Sequence, residues 1–147
     1  MLIVTYTFVK IVNWSKLGVM KKKVVIPKSL QSTYEKWHYA PAVESGGFLF
    51  VSGCTGTRSD GTNSPDIKEQ FIQAFKSVEL ALNEAGLTFD DVVEMTTYHV
   101  GLQSHLKEFS EIKDRFIKEP YPAWTAIGVV ELAVPGAVIE VQVTAKF

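Results

Sequence analysis

Few residues in this 147-residue chain are of a type that does chemistry, and their spacing shortens the list further. His38, His99 and His105 share no metal-ligand spacing with one another or with a carboxylate, so no metal site is expected. Cys54 is the single cysteine, belongs to no Cys-x-x-Cys pair and has no neighbour in sequence that lowers a thiol pKa. It reads as a small buried residue before it reads as a nucleophile. There is no Gly-rich phosphate loop, no Gly-x-Ser-x-Gly and no His-Glu-x-x-His, so nucleotide-dependent and standard hydrolase chemistry have no support and no cofactor is implied. What remains is a carboxylate, Glu140, set in an apolar alternation, and an indole, Trp124, on a similar segment. A carboxylate that another molecule shields from water has a raised pKa and can act as general acid or base. An indole face beside it attracts cations and flat rings, so the ligand expected at such a pair is cationic, neutral or aromatic.

Periodicity indicates the elements that must position these groups. Residues 39–44 and 48–53 form short apolar runs separated by Ser45-Gly46-Gly47, which supplies the positive φ of a tight hairpin. A turn-rich loop over 56–65 leads to Asp66, a helix cap, and then Ile67, Phe71, Ala74, Phe75, Val78, Ala81 and Leu82 recur at helical spacing until Gly86. Residues 91–101 read as a strand rich in Val, Thr and Tyr. Leu106, Phe109, Ile112, Phe116 and Ile117 mark a second helix, which ends before Pro120-Tyr121-Pro122. Strands over 123–131 and 137–146 complete the order ββαβαββ, an α+β sheet with two helices on one face.

Strand alternation then assigns faces. In the last strand Ile139, Val141, Val143 and Ala145 alternate with Glu140, Gln142 and Thr144. In the strand before it, Thr125, Ile127 and Val129 alternate with Trp124, Ala126, Gly128 and Val130. If the helices cover both Ile/Val sides, Trp124 and Glu140 share the opposite face. That face is neither well solvated nor a dry core, so it is expected to meet another subunit around a pocket.

Composition bounds the rest. Fifteen Lys+Arg against 16 Asp+Glu leave a net charge of −1 and no excess to neutralise phosphates, so nucleic acid is not an expected partner. Residues 1–19 carry Lys10 and Lys16, no acidic residue and many apolar ones, but Thr5, Thr7, Asn13 and Ser15 interrupt them, and neither a membrane span nor a signal peptide results. Met20, followed by three lysines, reads as an alternative start, with 1–19 an atypical N-terminal extension and 20–147 a single domain. One thiol fits a reducing compartment, so the cytoplasm is the expected location.

Tyr39, the run Phe48-Leu49-Phe50-Val51-Ser52-Gly53, Leu82-Asn83-Glu84-Ala85-Gly86, Phe89-Asp90-Asp91-Val92-Val93, Pro122-Ala123 and Ile139-Glu140-Val141, in colinear order over residues 26–146, resemble the YjgF family, also called the Rid or reactive intermediate deaminase family. The resemblance implies a chorismate-mutase-like fold, a homotrimer, small-molecule sites in clefts between subunits, and cofactor-independent hydrolysis of 2-imino acids to 2-keto acids and ammonia. It further implies that Glu140 positions the water and that Tyr39, Gly53, Cys54, Ser104, Trp124, Thr125 and Ala126 line the substrate site. Where the family anchors the substrate carboxylate with arginine, this chain has Trp124; Cys54, Ala126 and Ser104 stand in place of a frequent Gln, a common Cys and an interface Asn. Indole offers one neutral N–H where guanidinium offers a charged fork, which puts the usual imine deaminase activity in question. Arg58-Ser59-Asp60-Gly61-Thr62 with Pro65-Asp66, and Pro120-Tyr121-Pro122 leading into Trp124-Thr125-Ala126, are similar to the YjgH-type branch, which also carries tryptophan there. Three readings follow: hydrolysis of a different imine or enamine, a non-catalytic metabolite- or partner-binding trimer, and, more weakly, an endoribonuclease or translation inhibitor.

Overall fold

The computed structural model describes residues 22–147 and contains one mixed six-stranded sheet. Its strands are β1 (Lys23–Val25), β2 (Ala42–Ser45), β3 (Phe48–Thr55), β4 (Val92–Val100), β5 (Ala123–Val129) and β6 (Ile139–Lys146), arranged β1-β2-β3-β6-β4-β5. The helices are α1 (Gln31–Trp37), α2 (Ile67–Glu84) and α3 (Leu102–Phe116). All strand pairs are antiparallel except β4–β5, which run parallel because α3 carries the chain back between them.

The expected α+β layering holds. Gly46 and Gly47, both at positive φ, close the β2–β3 hairpin with Ser45 opposite Phe48. Asp66 caps α2 by accepting a hydrogen bond from the Lys68 N–H at 2.9 Å. Phe71, Phe75, Val78 and Leu82 of α2 and Phe109 and Ile112 of α3 are buried with Leu49, Val51, Met95, Ile139, Val141 and Val143 of the sheet. Phe75 stacks on Phe116 with ring centroids 4.8 Å apart, and Phe71 meets Phe109 edge-on at 5.3 Å. Gln70, buried in α2, bonds Ser64 O and Gly136 O and accepts from Val138 N, so one side chain ties the loop before α2 to the loop before β6.

Two elements go beyond the expected ββαβαββ order. β1 has only three residues, and α1 buries none of its residues, so neither carries an apolar periodicity to read. Lys23 belongs to β1 and pairs with Glu44 at 3.0 Å. The extension over 1–19 and the Met20 start lie outside the described residues.

The face assignment of β5 requires correction. Met95, Thr97 and His99 of β4 point to the helices, and they pair in register with Trp124, Ala126 and Gly128. Trp124 therefore lies on the helix side, its ring 6.0 Å from Phe109 of α3, while Thr125 and Ile127 turn to the open face. Gly128 faces Leu102 of α3 on that side, where a Cβ would sit in ordinary contact at 3.6 Å, and the register with β4 turns Ile127 outward. On an edge strand whose open side is also apolar, hydrophobicity does not identify the core side.

Candidate functional site

On the open face, β6 presents Glu140 between Thr55 of β3 and Tyr98 of β4. The register between β3 and β6 shifts between Val51 and Cys54, a bulge that brings Gly53 against the carboxylate. A Cβ at Gly53 would stand 1.9 Å from Glu140 Oε1, so only glycine leaves room for the carboxylate in this position. Ser52 fixes the bulge to the segment bearing Tyr39, through Ser52 N to Pro41 O at 2.9 Å and Ser52 Oγ to Ala40 O at 2.7 Å.

Among the described residues the Glu140 carboxylate makes no hydrogen bond, and burial raises its pKa above the ordinary carboxylate value. Burial also raises the Tyr39 pKa, with further contributions from Cys54 and Glu140 that place all three in one electrostatic neighbourhood. The Cys54 thiol is pushed up to about 12 by burial and then by Glu140, and its Sγ sits 3.4 Å from Ser52 O. A thiol in that state stays protonated at neutral pH and is no nucleophile. Burial thus favours the protonated form of Glu140 relative to an exposed carboxylate, with Tyr39 in the same neighbourhood.

The other site residues expected from sequence lie elsewhere within one chain. Trp124 and Ala126 are on the helix face, Thr125 is on the open face of the edge strand, and Ser104 is exposed at the start of α3, its Oγ donating to Gly101 O at 2.7 Å. Trp124 Nε1 donates to Thr97 Oγ1 at 3.0 Å. Thr97 Oγ1 lies 2.9 Å from His99 Nε2, and His99 Nδ1 lies 3.2 Å from His105 Nε2. Thr97 Oγ1 accepts the indole N–H and stands within reach of both His99 Nε2, at 2.9 Å, and Thr125 O, at 3.5 Å; in either neutral tautomer of His99 one ring nitrogen donates and the other accepts. Burial, then His105, depresses the His99 pKa to about 4; burial lowers that of His105 as well, against an opposing pull from Glu108.

Two residues near these groups escaped the sequence reading. Tyr98 flanks Glu140, and its signal was the alternation of Thr96 and Tyr98 with the buried Thr97 and His99. Lys113 lies on the buried side of α3 with its ammonium 4.9 Å from the centre of the Trp124 ring, and its signal was a position four residues after Phe109 and four before Ile117. That ammonium occupies the neighbourhood of the indole in which a cationic ligand was expected.

Among the described residues no group of three His, Cys, Asp or Glu side chains could hold a metal, and no helix is long and apolar enough to cross a membrane. The family described as Endoribonuclease L-PSP matches residues 31–147. The chain is 37% identical over 129 residues to the RutC family protein YjgH of Escherichia coli, covering 87% of this chain and 97% of that protein. The solved structure of protein YjgH superposes with a TM-score of 0.79 at 36% identity, over 87% of this chain and 98% of the other. A 2-iminobutanoate/2-iminopropanoate deaminase of Dermatophagoides farinae is 25% identical over 96 residues, 64% of this chain and 74% of its own length.

Proposed function

This chain belongs to the Endoribonuclease L-PSP family, the YjgF or Rid family, and from that premise we propose that it acts as a homotrimer whose open sheet faces enclose small-molecule sites where Glu140 directs water onto an imine or enamine carbon. The observation that carries the reading is Glu140 itself, a carboxylate over Gly53 with a burial-raised pKa and no competing hydrogen bond among the described residues. A cationic C=NH2 group suits that carboxylate. As the water oxygen bonds to the imine carbon, Glu140 takes one of its protons; Glu140 then returns a proton to nitrogen, the C–N bond breaks, and ammonia leaves as the carbonyl forms and the remaining hydroxyl proton passes to Glu140. No resident cofactor is invoked, and none of these steps calls on the Cys54 thiol.

Trp124 and Glu140 lie on opposite faces of one sheet, so they reach one ligand only when two copies contribute to it. The open face supports such an assembly: Phe50 of β3 and Ile127 of β5 are exposed on it with Tyr98 between their strands, an aromatic and aliphatic surface of the kind a second copy covers. The same small-molecule pocket without turnover is the second reading, favoured by the absence of an arginine at position 124. An RNA-cleaving role lacks a basic surface, with 15 Lys+Arg against 16 Asp+Glu. A single protonated thiol and no disulfide suit the cytoplasm, where we place the protein.

The test is ammonia release from 2-iminopropanoate and 2-iminobutanoate, generated in situ, by wild type and Glu140→Gln, with sedimentation to count copies. The catalytic reading expects Glu140→Gln to lose about 10²-fold or more of turnover while keeping its assembly. Equal turnover in the two proteins overturns it, and ligand binding without turnover in wild type supports the receptor reading.

A further inference from the structure

A cavity of about 370 Å3 opens where the last turn of α3 meets the start of β5, lined by Met95, Lys113, Asp114, Ile117, Tyr121 and Trp124. Its volume falls within the roughly 300–1,000 Å3 of small-molecule sites. The walls are apolar and aromatic except for the Lys113 ammonium and the Asp114 carboxylate that pairs with it at the rim. Lys113 is only 9% exposed, and among the described residues it makes one hydrogen bond, to Asp114 Oδ1 at 2.5 Å. An ammonium carries three donors, so Lys113 holds donors in the cavity that its one partner does not use. Asp114 itself is largely in solvent, and its backbone oxygen accepts from Lys118 Nζ, which brings a second cation to the rim. A charge kept this far from water is costly unless it is paired, and one mostly solvated carboxylate offsets only part of that cost.

These features define a complementary ligand. The indole of Trp124 and the ring of Tyr121, which is 65% exposed, offer flat surfaces that in the free chain meet water. Met95 and Ile117 add apolar contact, and Lys113 adds a positive charge 4.9 Å from the Trp124 ring centre. A ligand ammonium would meet Lys113 as a like charge, and a neutral ring would leave its donors unused. We propose that this cavity binds a small aromatic carboxylate, its ring against Trp124 and Tyr121 and its carboxylate on Lys113. The inference shares Trp124 with the two-copy pocket and rests on that residue facing ligand, but not on any chemistry at Glu140.

The chain has three tryptophans, so replacing Trp14 and Trp37 with Phe leaves Trp124 as the only indole reporter. Phenylacetate is titrated against its fluorescence, beside phenethylamine and phenylacetamide, which keep the ring and change the charge. Saturable quenching by phenylacetate, with no comparable response to phenethylamine, is expected. Lys113→Met, which keeps the apolar stem, weakens phenylacetate about tenfold or more, and Lys113→Arg retains it. Circular dichroism confirms that both variants fold, and the Arg variant keeps the charge test valid if the Met variant does not. Imine turnover is read on Glu140→Gln and phenylacetate affinity on Lys113→Met, so the two readings fail separately. Phenethylamine binding as tightly as phenylacetate, or an unaltered affinity in Lys113→Met, overturns the proposal.

Discussion

The two faces of the sheet handle buried polar groups in opposite ways. On the helix face Trp124, Thr97, His99 and His105 satisfy one another in a closed row of hydrogen bonds, and burial holds the imidazole of His99 neutral with its pKa near 4. On the open face burial acts on Glu140 in the other direction on the pH scale, raising its pKa, and no hydrogen bond among the described residues compensates. Desolvation favours the neutral form in both places. The imidazole spends its neutral form on structure, because its donor and acceptor are both used within the chain. The carboxylate has no hydrogen-bond partner among the described residues, which leaves its oxygens available to a reacting molecule.

Four substitutions or conditions break or sharpen this contrast. The largest effect is expected at Glu140→Gln, with a turnover loss of about 10²–10⁴-fold and little change in thermal midpoint, since no hydrogen bond among the described residues is lost. A destabilised fold with intact turnover would assign Glu140 to structure instead. Next is Phe109→Ala on the other face. Phe109 packs on Phe71, Phe75, His99 and Trp124, so its loss costs about 3–5 kcal/mol in denaturant titrations and releases the indole. A cost below about 1 kcal/mol would mean that the hydrogen-bonded row holds Trp124 without Phe109 behind it.

The third effect is pH dependence. His99 is protonated less readily in the folded than in the unfolded chain, so its contribution is intact above the unfolded value of 6.5 and is lost as pH falls toward about 4. The loss amounts to at most about 3 kcal/mol and should be absent in His99→Leu measured over the same range. Glu140 has the opposite slope: its raised pKa means the folded chain binds the proton more readily, so its contribution favours folding at low pH and fades as pH rises through the carboxylate range. Urea titrations of wild type, His99→Leu and Glu140→Gln between pH 4 and 8 separate the two, and coincident curves would remove the contrast. The smallest effect on stability is expected at Gly53→Ala. Its methyl meets the free end of the Glu140 side chain, which can swing aside, so stability changes by less than about 1 kcal/mol while turnover falls about tenfold. Undiminished turnover would show that the carboxylate need not rest over Gly53.

Much of this contrast was legible before any tertiary structure. Alternation placed Glu140 away from the core because β6 is an inner strand, flanked by β3 and β4, with one fully buried side made of Ile139, Val141, Val143 and Ala145. The β2–β3 hairpin was legible in two glycines that only a tight turn demands. α2 and α3 were legible because each has one apolar side to bury. β1 and α1 were not, since three residues are too few for a period and α1 buries nothing.

What the sequence by itself determined was therefore the layered sheet, its two packing helices, the family and the isolated carboxylate, all carried by periodic burial or by residue types with one conformational use. Only the tertiary structure decided which side of β5 faces α3, and with it the separation of Trp124 from Glu140, the row from Trp124 to His105, and the ammonium of Lys113 beside the indole. The physical reason is that an edge strand with apolar groups on both sides has no preferred face of its own. Its orientation is set by the register with β4.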